Sequence, residues 1–501
     1  MTITRSAGSW HDQAAKLSFE GRLFIDGDFR AAASGKMFES INPANGSVLA
    51  EVSRGDAADI DRAVASSLKT FKSGAWSRLA PRARMAIMLR FADLIEQHAS
   101  DFALIDTLDM GKPITEMLTV DVPLAVNCFR FTAECIDKMQ GTVGATSPDV
   151  LSYVLRQPLG VVGCIVPWNY PLLMTAWKIA PALAAGNCVV LKPAEQSRLS
   201  ALLLASLFMQ AGAPAGVLNV VNGFGAEAGR ALALHRDVEK IAFTGSVEIG
   251  KLMMVYSGQS NLKKVSTECG GKSPHVIMAD ADNLETAAWW AAMGIFGNQG
   301  EVCCAGSRIL VQTSILPDFL DAFSAVAKKD YIPGDPLETT TTVGPMVTVE
   351  QQQRVLNYIG IGKQGGADCI LGGGVPEGLE AGAYVSPTIF TGVSNSMTIA
   401  REEIFGPVAS IIPFDSYEDA VSIANDSNFG LAAGIWTSNL GTAHRFARDV
   451  EAGMVYINSY MNGDMQFPFG GWKESGNGRD KCMDALVSYT QTKSVWATIG
   501  N

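Results

Sequence analysis

None of the nine cysteines in this chain stands in a C-x-x-C pair, and the five histidines (His11, His98, His235, His275 and His444) never approach a cysteine at zinc-ligand spacing. Closely spaced thiol and imidazole ligands are what a structural zinc site requires, so no metal is expected. An odd number of scattered cysteines also argues against a disulfide framework and for free thiols in a reducing compartment, which places the protein in the cytoplasm. The opening "MTITRSAGSWHDQAAKLSFEGRLF" lacks the apolar core of a signal peptide. No stretch approaches the ~20 uninterrupted apolar residues needed to span a membrane. Nor is there an excess of positive charge: 39 Lys and Arg against 50 Asp and Glu leave a net charge of −11, with both signs interspersed. A partner such as nucleic acid or an anionic membrane surface demands a basic face, so neither is expected.

What the chain does have is length and a changing rhythm. At 501 residues it exceeds one ordinary core, and 48% hydrophobic with 18% charged residues is the balance of a folded enzyme. Residues 56–140 carry apolar side chains at helical intervals, stopping at Gly111 and Pro113. From 161 onward short apolar runs ("VVGCIV", "CVVL", "VLNVV", "KIAF", "HVIM") alternate with helical stretches such as "PLLMTAWKIAPALAAG" and "RLSALLLASLFMQAG". That alternation predicts βαβ units and a parallel sheet, whose carboxyl ends are where dinucleotides bind. A second α/β region follows Gly270 and runs to about 475, with "RILVQ" and "VASIIPF". Residues 141–158 and the terminal "VSYTQTKSVWATI" alternate polar and apolar side chains, as strands do. They could pair with a neighbouring subunit or form a small sheet within one.

Two glycine patterns need separating. "GIGKQG" (360–365) matches a dinucleotide fingerprint but ends a stretch of helical periodicity, so it reads as a helix terminus. "GFGAEAG" (223–229), with Gly225 and Gly229, does follow a strand and precede a helix, although its last glycine is one residue late.

Four stretches carry chemistry. In "VPWNYP", Val166, Pro167 and Trp168 lead to Asn169 at a strand end, where an amide can donate to a developing oxyanion or simply form a turn. In "LKPAE", Lys192 and Glu195 close the next strand, and a carboxylate there accepts ribose hydroxyls and repels a 2′-phosphate, favouring NAD over NADP. In "FTGS", Gly245 and Ser246 open a helix suited to a pyrophosphate. "TECGGK" then sets Glu268 at a strand end, as a surface charge or a general base. The fourth, "NQGEVCCAGSR" (298–308), puts Cys303 and Cys304 side by side behind a polar, glycine-bearing turn, an odd lining for a packed interior. The residues alone do not say which thiol is active.

The order of these pieces resembles the aldehyde dehydrogenase superfamily over roughly Leu23 to Trp496: "PWN", "KPAE", "FTGS", "E-x-GGK", "G-[QE]-x-C", "EEIFGPV" and "PFGG" all occur in the family's sequence. The resemblance implies an α/β fold with a Rossmann-like NAD-binding domain (1–140 and 159–269), a second α/β catalytic domain (270–475) and a small β oligomerisation arm (141–158 and 476–501), assembling as a homodimer or homotetramer. It makes Cys303 the nucleophile, with Cys304 a neighbour facing elsewhere. Asn169 holds the oxyanion, Glu268 is the base that hydrolyses the thioester, and Lys178 supports Asn169 from the helix beyond it. For the cofactor, NAD with NADP as the weaker alternative, the resemblance implies Val166, Pro167, Trp168, Lys192, Glu195, Gly225, Gly229, Phe243, Gly245, Ser246, Ile249, Cys269, Gly270, Glu403 and Phe405. Cys269 stands where leucine is usual, either as a packing substitute or as an oxidation-sensitive thiol.

Within the superfamily the chain is most similar to the branch that oxidises ω-amino aldehydes from polyamine breakdown, especially at "NGDMQFPFGG" and "SGNGRDK". The implied substrate tunnel has Asp121, Tyr170, Met174, Trp177, Met461, Asp464 and Phe469. Aromatic faces and a carboxylate would suit a cationic or polar tail. The alternatives are a broad-specificity aliphatic or aromatic aldehyde dehydrogenase, a coenzyme-A-acylating variant, a thiol esterase, or a non-catalytic binding protein on the same fold. Glu268 argues against the acylating variant, and the retained Cys303, Glu268 and Asn169 argue against the last.

Overall fold

A computed structural model describes residues 9–500; the first eight residues of the expected first domain and the last residue of the expected arm lie outside it. Five parallel strands form the centre of an eight-stranded sheet. Their spatial order is Leu218–Val220, Cys188–Lys192, Val161–Ile165, Val238–Gly245 and Lys264–Cys269. Chain order therefore reverses direction between Val161–Ile165 and Val238–Gly245. This is the switch point at which an open α/β sheet leaves a crevice at its carboxyl edge. Val161–Ile165 and Cys188–Lys192 are buried at every position, as strands covered on both faces must be, which is why they read as continuous apolar runs.

The helices behind this sheet end where expected. Ala99–Met110 stops at Gly111, whose φ of 92° is the left-handed cap that glycine adopts without strain. The same helix presents two buried carboxylates to the next layer. Asp106 accepts from the backbone N–H of Leu172 at 3.2 Å and Asp109 from that of Leu199 at 3.1 Å, each serving the free N–H groups that open a helix. The helix Pro171–Ala184, buried along its whole length, is thus pinned at the end that carries Asn169 and Tyr170.

The second sheet has seven strands, with Arg308–Gln312 between Val408–Phe414 and Pro274–Ile277. It is parallel apart from the edge strand Asp368–Leu371. Lys264–Cys269 of the first sheet passes into Pro274–Ile277 of the second through Gly270–Ser273. The carboxyl edge of one sheet therefore faces the amino edge of the other, and the segments before Arg308 and Val408 point into the seam. "GIGKQG" lies at the end of the helix Val349–Gln364, as its periodicity predicts.

The strands Val150–Pro158 and Thr490–Thr498 pair with each other, Thr490 opposite Pro158 and Thr498 opposite Val150, and Thr142–Gly144 completes a three-stranded antiparallel sheet. The terminal segment enters this sheet later than the expected boundary at 476. Gly476–Asn477 is an edge strand of the first sheet, opposite Thr267 and Glu268, because residues 476–480 still belong to the seam.

Candidate active site

Cys303 sits in a loop built under backbone strain. Asn298 (φ 47°) and Gln299 (φ 54°) are both left-handed ahead of Gly300 (φ 72°). Such strain persists only where surroundings enforce it. Here the Asn298 amide donates to the Asn169 carbonyl at 2.9 Å and to that of Glu301 at 3.2 Å, while Glu301 accepts from the Val347 N–H at 3.0 Å. Gly300 must be glycine on steric grounds too, since a Cβ there would sit 2.3 Å from Gly406 backbone.

The Asn169 amide donates to the Glu301 carbonyl at 2.8 Å, two residues before the cysteine. One of its two protons locks it to the loop and the second is left for another acceptor. Glu268, next to last in the strand Lys264–Cys269, has both carboxylate oxygens buried and without a hydrogen-bond partner among the described residues. Gly470 allows this, because a Cβ there would lie 2.7 Å from the Glu268 Oε1. Burial, and then the negative charge of Asp480, push the Glu268 carboxyl well above its ordinary range; Lys178 and Arg479 oppose the shift.

The Cys303 thiol is also held well above its usual value, first by the adjacent Cys304, then by burial and the charges of Glu403 and Glu268. Cys304 is itself buried, and its influence on Cys303 is on the affinity of that thiol for its proton.

Lys178 forms a buried ion pair, its Nζ 2.6 Å from Asp480 Oδ2, and its charge favours the ionised form of Glu268. Removing one partner of a buried pair strands the other's charge. Lys178→Met should cost about 3–5 kcal/mol of stability, seen as a lower urea midpoint at unchanged slope. An unchanged midpoint would show the pair to be dispensable.

The expected cofactor residues line the carboxyl edge of the first sheet. Val166 donates to the Lys192 carbonyl at 3.3 Å. Lys192 Nζ is 2.9 Å from Glu195 Oε2. A Cβ on Gly225 would meet nothing within 4 Å, and one on Gly229 would only touch Lys192 Cδ at 3.7 Å, so this glycine-bearing turn borders open space. Phe243 is buried and excludes any side chain at Gly245, whose Cβ would be 2.5 Å from its ring. Ser246 caps the helix Val247–Gln259 by accepting from the Ile249 N–H at 3.4 Å. Open glycine backbone, a carboxylate at the carboxyl edge of the sheet and a capped helix start fit a dinucleotide.

Across the seam, Glu403 accepts from the Gly271 N–H at 3.2 Å, and no side chain fits at Gly270 because the Glu403 carboxylate occupies its place. Burial pushes the Glu403 carboxyl up to about 7. Phe405 is left-handed (φ 61°), and its carbonyl is held by Gln351 Nε2 at 2.7 Å. Its ring meets Trp168 edge-to-face at 5.1 Å, joining the two sheets' loops. Cys269 packs against Gly250, and burial pushes its thiol to about 12, which favours the packing role.

The tunnel residues divide into two groups. Asp121 and Tyr170 converge on Lys112, which sequence reasoning missed. Its Nζ is 2.7 Å from Asp121 Oδ1 and 3.7 Å from the Tyr170 ring centroid. The Asp121 carboxylate is therefore already matched by a cation, which corrects the expectation that it meets a cationic tail. Trp177 and Phe469 form an aromatic pair at 4.8 Å. Met174 is buried on the same helix as Trp177, and Met461 (φ 56°) and the exposed Asp464 lie on the facing loop. Asp480 and Lys481 were also missed as site residues, though both stand in or beside the "SGNGRDK" stretch.

The fold, with a thiol, an amide and two carboxylates gathered at the carboxyl edge of a parallel sheet, is that of a two-sheet α/β protein with a dinucleotide-type crevice. The aldehyde dehydrogenase family model matches residues 29–495, and the chain belongs to that family of oxidoreductases. It is 46% identical to the NADP/NAD-dependent aldehyde dehydrogenase PuuC of Escherichia coli (strain K12), over 98% of each chain. The structure of a γ-glutamyl-γ-aminobutyraldehyde dehydrogenase from Burkholderia cenocepacia J2315 is similar at 50% identity and a TM-score of 0.96, covering 98% of this chain and 99% of that one. An indole-3-acetaldehyde dehydrogenase of P. syringae, solved with NAD+ and IAA, is similar at 51% identity with the same TM-score and coverage.

Proposed function

We propose that this enzyme oxidises an ω-amino aldehyde of polyamine breakdown, such as γ-glutamyl-γ-aminobutyraldehyde, to the carboxylic acid with NAD as the preferred cofactor. The single observation that carries the chemistry is the seam itself. Asn169 is bonded to the cysteine loop, and Glu268 and Glu403 both bear on the Cys303 thiol.

In this reading the Cys303 thiolate attacks the aldehyde carbon. The oxyanion is held by the free Asn169 proton and the Cys303 N–H, and one such donor contributes roughly 10²–10³-fold. NAD, when bound, supplies the acceptor for the hydride. Glu268, buried and unpartnered, takes the proton of the water that cleaves the thioester. Glu195 would hold the adenosine ribose and Glu403 the nicotinamide ribose, with Phe405 against the ring.

The substrate class is supported by the similarity to PuuC and to the Burkholderia enzyme, and by the polar groups around Trp177. A second reading, an aromatic aldehyde, draws on the Trp177–Phe469 pair and the P. syringae neighbour. A kinetic panel of γ-glutamylaminobutyraldehyde, 4-aminobutyraldehyde, betaine aldehyde, indole-3-acetaldehyde and simple alkanals, each with NAD and NADP, separates them. The γ-glutamyl substrate with NAD should give the highest kcat/KM. Preference for an unbranched alkanal would remove the amino-aldehyde assignment and leave the enzyme class standing.

The proposed cell compartment is the cytoplasm, and the proposed assembly a homodimer or homotetramer through the three-stranded sheet. In the single chain that sheet leaves Val143, Leu151, Leu155 and Trp496 exposed. No helix among the described residues is long and apolar enough to cross a membrane.

A further inference from the structure

Lys481 is a cation of the site that no carboxylate among the described residues pairs with. It follows Asp480 directly, but the two side chains part. Asp480 turns to Lys178, and the Lys481 Nζ lies 5.6 Å from the centroid of the Trp177 ring. Among the described residues Lys481 joins no ion pair within 4 Å and donates no hydrogen bond. Asp464 attracts it without touching it, and Gly463 borders it, since a Cβ there would lie 3.9 Å from the Nζ. The backbone is left-handed at both Lys481 (φ 64°) and Cys482 (φ 48°), so the side chain is aimed by an unusual turn rather than by a helix face.

A second donor stands unsatisfied in the same place. Trp177 is only 8% exposed, yet its indole Nε1–H has no acceptor among the described residues. Most buried donors in folded proteins are paired, and an orphan at a binding site points to a missing acceptor. A half-buried ammonium over the Trp177 ring, with the orphan indole N–H on that same ring, complements an anion that can accept two hydrogen bonds. A purely cationic tail would meet like charge here.

We propose that Lys481, with Trp177, binds a carboxylate carried at the end of the aldehyde remote from its carbonyl group. This rests on the amino-aldehyde reading and sharpens it. Such a substrate carries an amino-acid head, as a γ-glutamyl group does, whose carboxylate meets Lys481 while its ammonium faces Asp464.

The test compares kcat and KM for γ-glutamylaminobutyraldehyde, succinic semialdehyde, 4-aminobutyraldehyde and hexanal in wild type, Lys481→Met and Lys481→Arg. Lys481→Met should raise KM about tenfold or more for the two carboxylate-bearing aldehydes, with kcat little changed. It should leave hexanal as it was and not weaken 4-aminobutyraldehyde. Lys481→Arg should recover most of the loss. Equal losses on all four aldehydes, or no loss on any, would overturn the proposal. Should Lys481→Met not fold, the wild type decides: added salt should raise KM for succinic semialdehyde and not for hexanal, and equal responses count against it. Wild-type preference for succinic semialdehyde over both amino-bearing substrates would sink the polyamine reading while leaving the carboxylate site intact.

Discussion

Cys303→Ala should reduce aldehyde oxidation by roughly 10⁴–10⁶-fold, the scale of loss when a covalent nucleophile is removed, with the fold and NAD affinity unchanged. The control is its neighbour. Cys304→Ala should keep turnover, because the influence of its sulfur is to raise the proton affinity of Cys303. Losing that neighbour lowers the Cys303 pKa, so the rate of alkylation by iodoacetamide should rise at a lower pH than in wild type. Reduced-nicotinamide absorbance and the mass of the alkylated peptide report the two effects. Turnover surviving in Cys303→Ala and lost in Cys304→Ala would reverse the assignment of the nucleophile.

The strands and helices of the first sheet were legible because both signals were strong. Fully buried strands such as Cys188–Lys192 are continuous apolar runs, and Gly111 marks a helix end. The principal site residues were legible from the order of their motifs rather than from strand ends: Asn169 lies in a bend beyond the strand Val161–Ile165, and Glu268 is the penultimate residue of Lys264–Cys269. What the sequence concealed were pairings between residues far apart along the chain. Lys178 meets Asp480, and Lys112 meets Asp121 and Tyr170 through a turn of π-helix at Met117–Asp121 that no periodicity announces. The strain that shapes the Cys303 loop was hidden too, because nothing in "NQGEVCC" announces left-handed backbone at Asn298 and Gln299. The terminal boundary was misplaced because Gly476–Asn477 takes its place from Thr267 and Glu268, not from its own alternation.

Glu268→Gln should lower steady-state turnover by roughly 10²–10⁴-fold, the contribution of one positioned base, while preserving shape in a pocket where the carboxylate has no protein partner to lose. If the carboxylate serves the water, the variant should still form its thioester. Mixing it with NAD and aldehyde should then release one equivalent of reduced cofactor per active site and leave an acyl group on the Cys303 peptide, visible by mass. Absence of the burst would assign Glu268 to activating the thiol as well. The pH profile adds an independent check. Burial and Asp480 raise the Glu268 pKa, and a base works only when deprotonated, so wild-type kcat should climb with pH along a limb lying above the ordinary carboxylate range. That limb should vanish in Glu268→Gln. In Lys178→Met it should move to higher pH, since losing the nearby cation makes the carboxylate harder to ionise. Undiminished turnover in Glu268→Gln would remove the hydrolytic half of the mechanism, and a limb unmoved by Lys178→Met would detach the buried ion pair from that base.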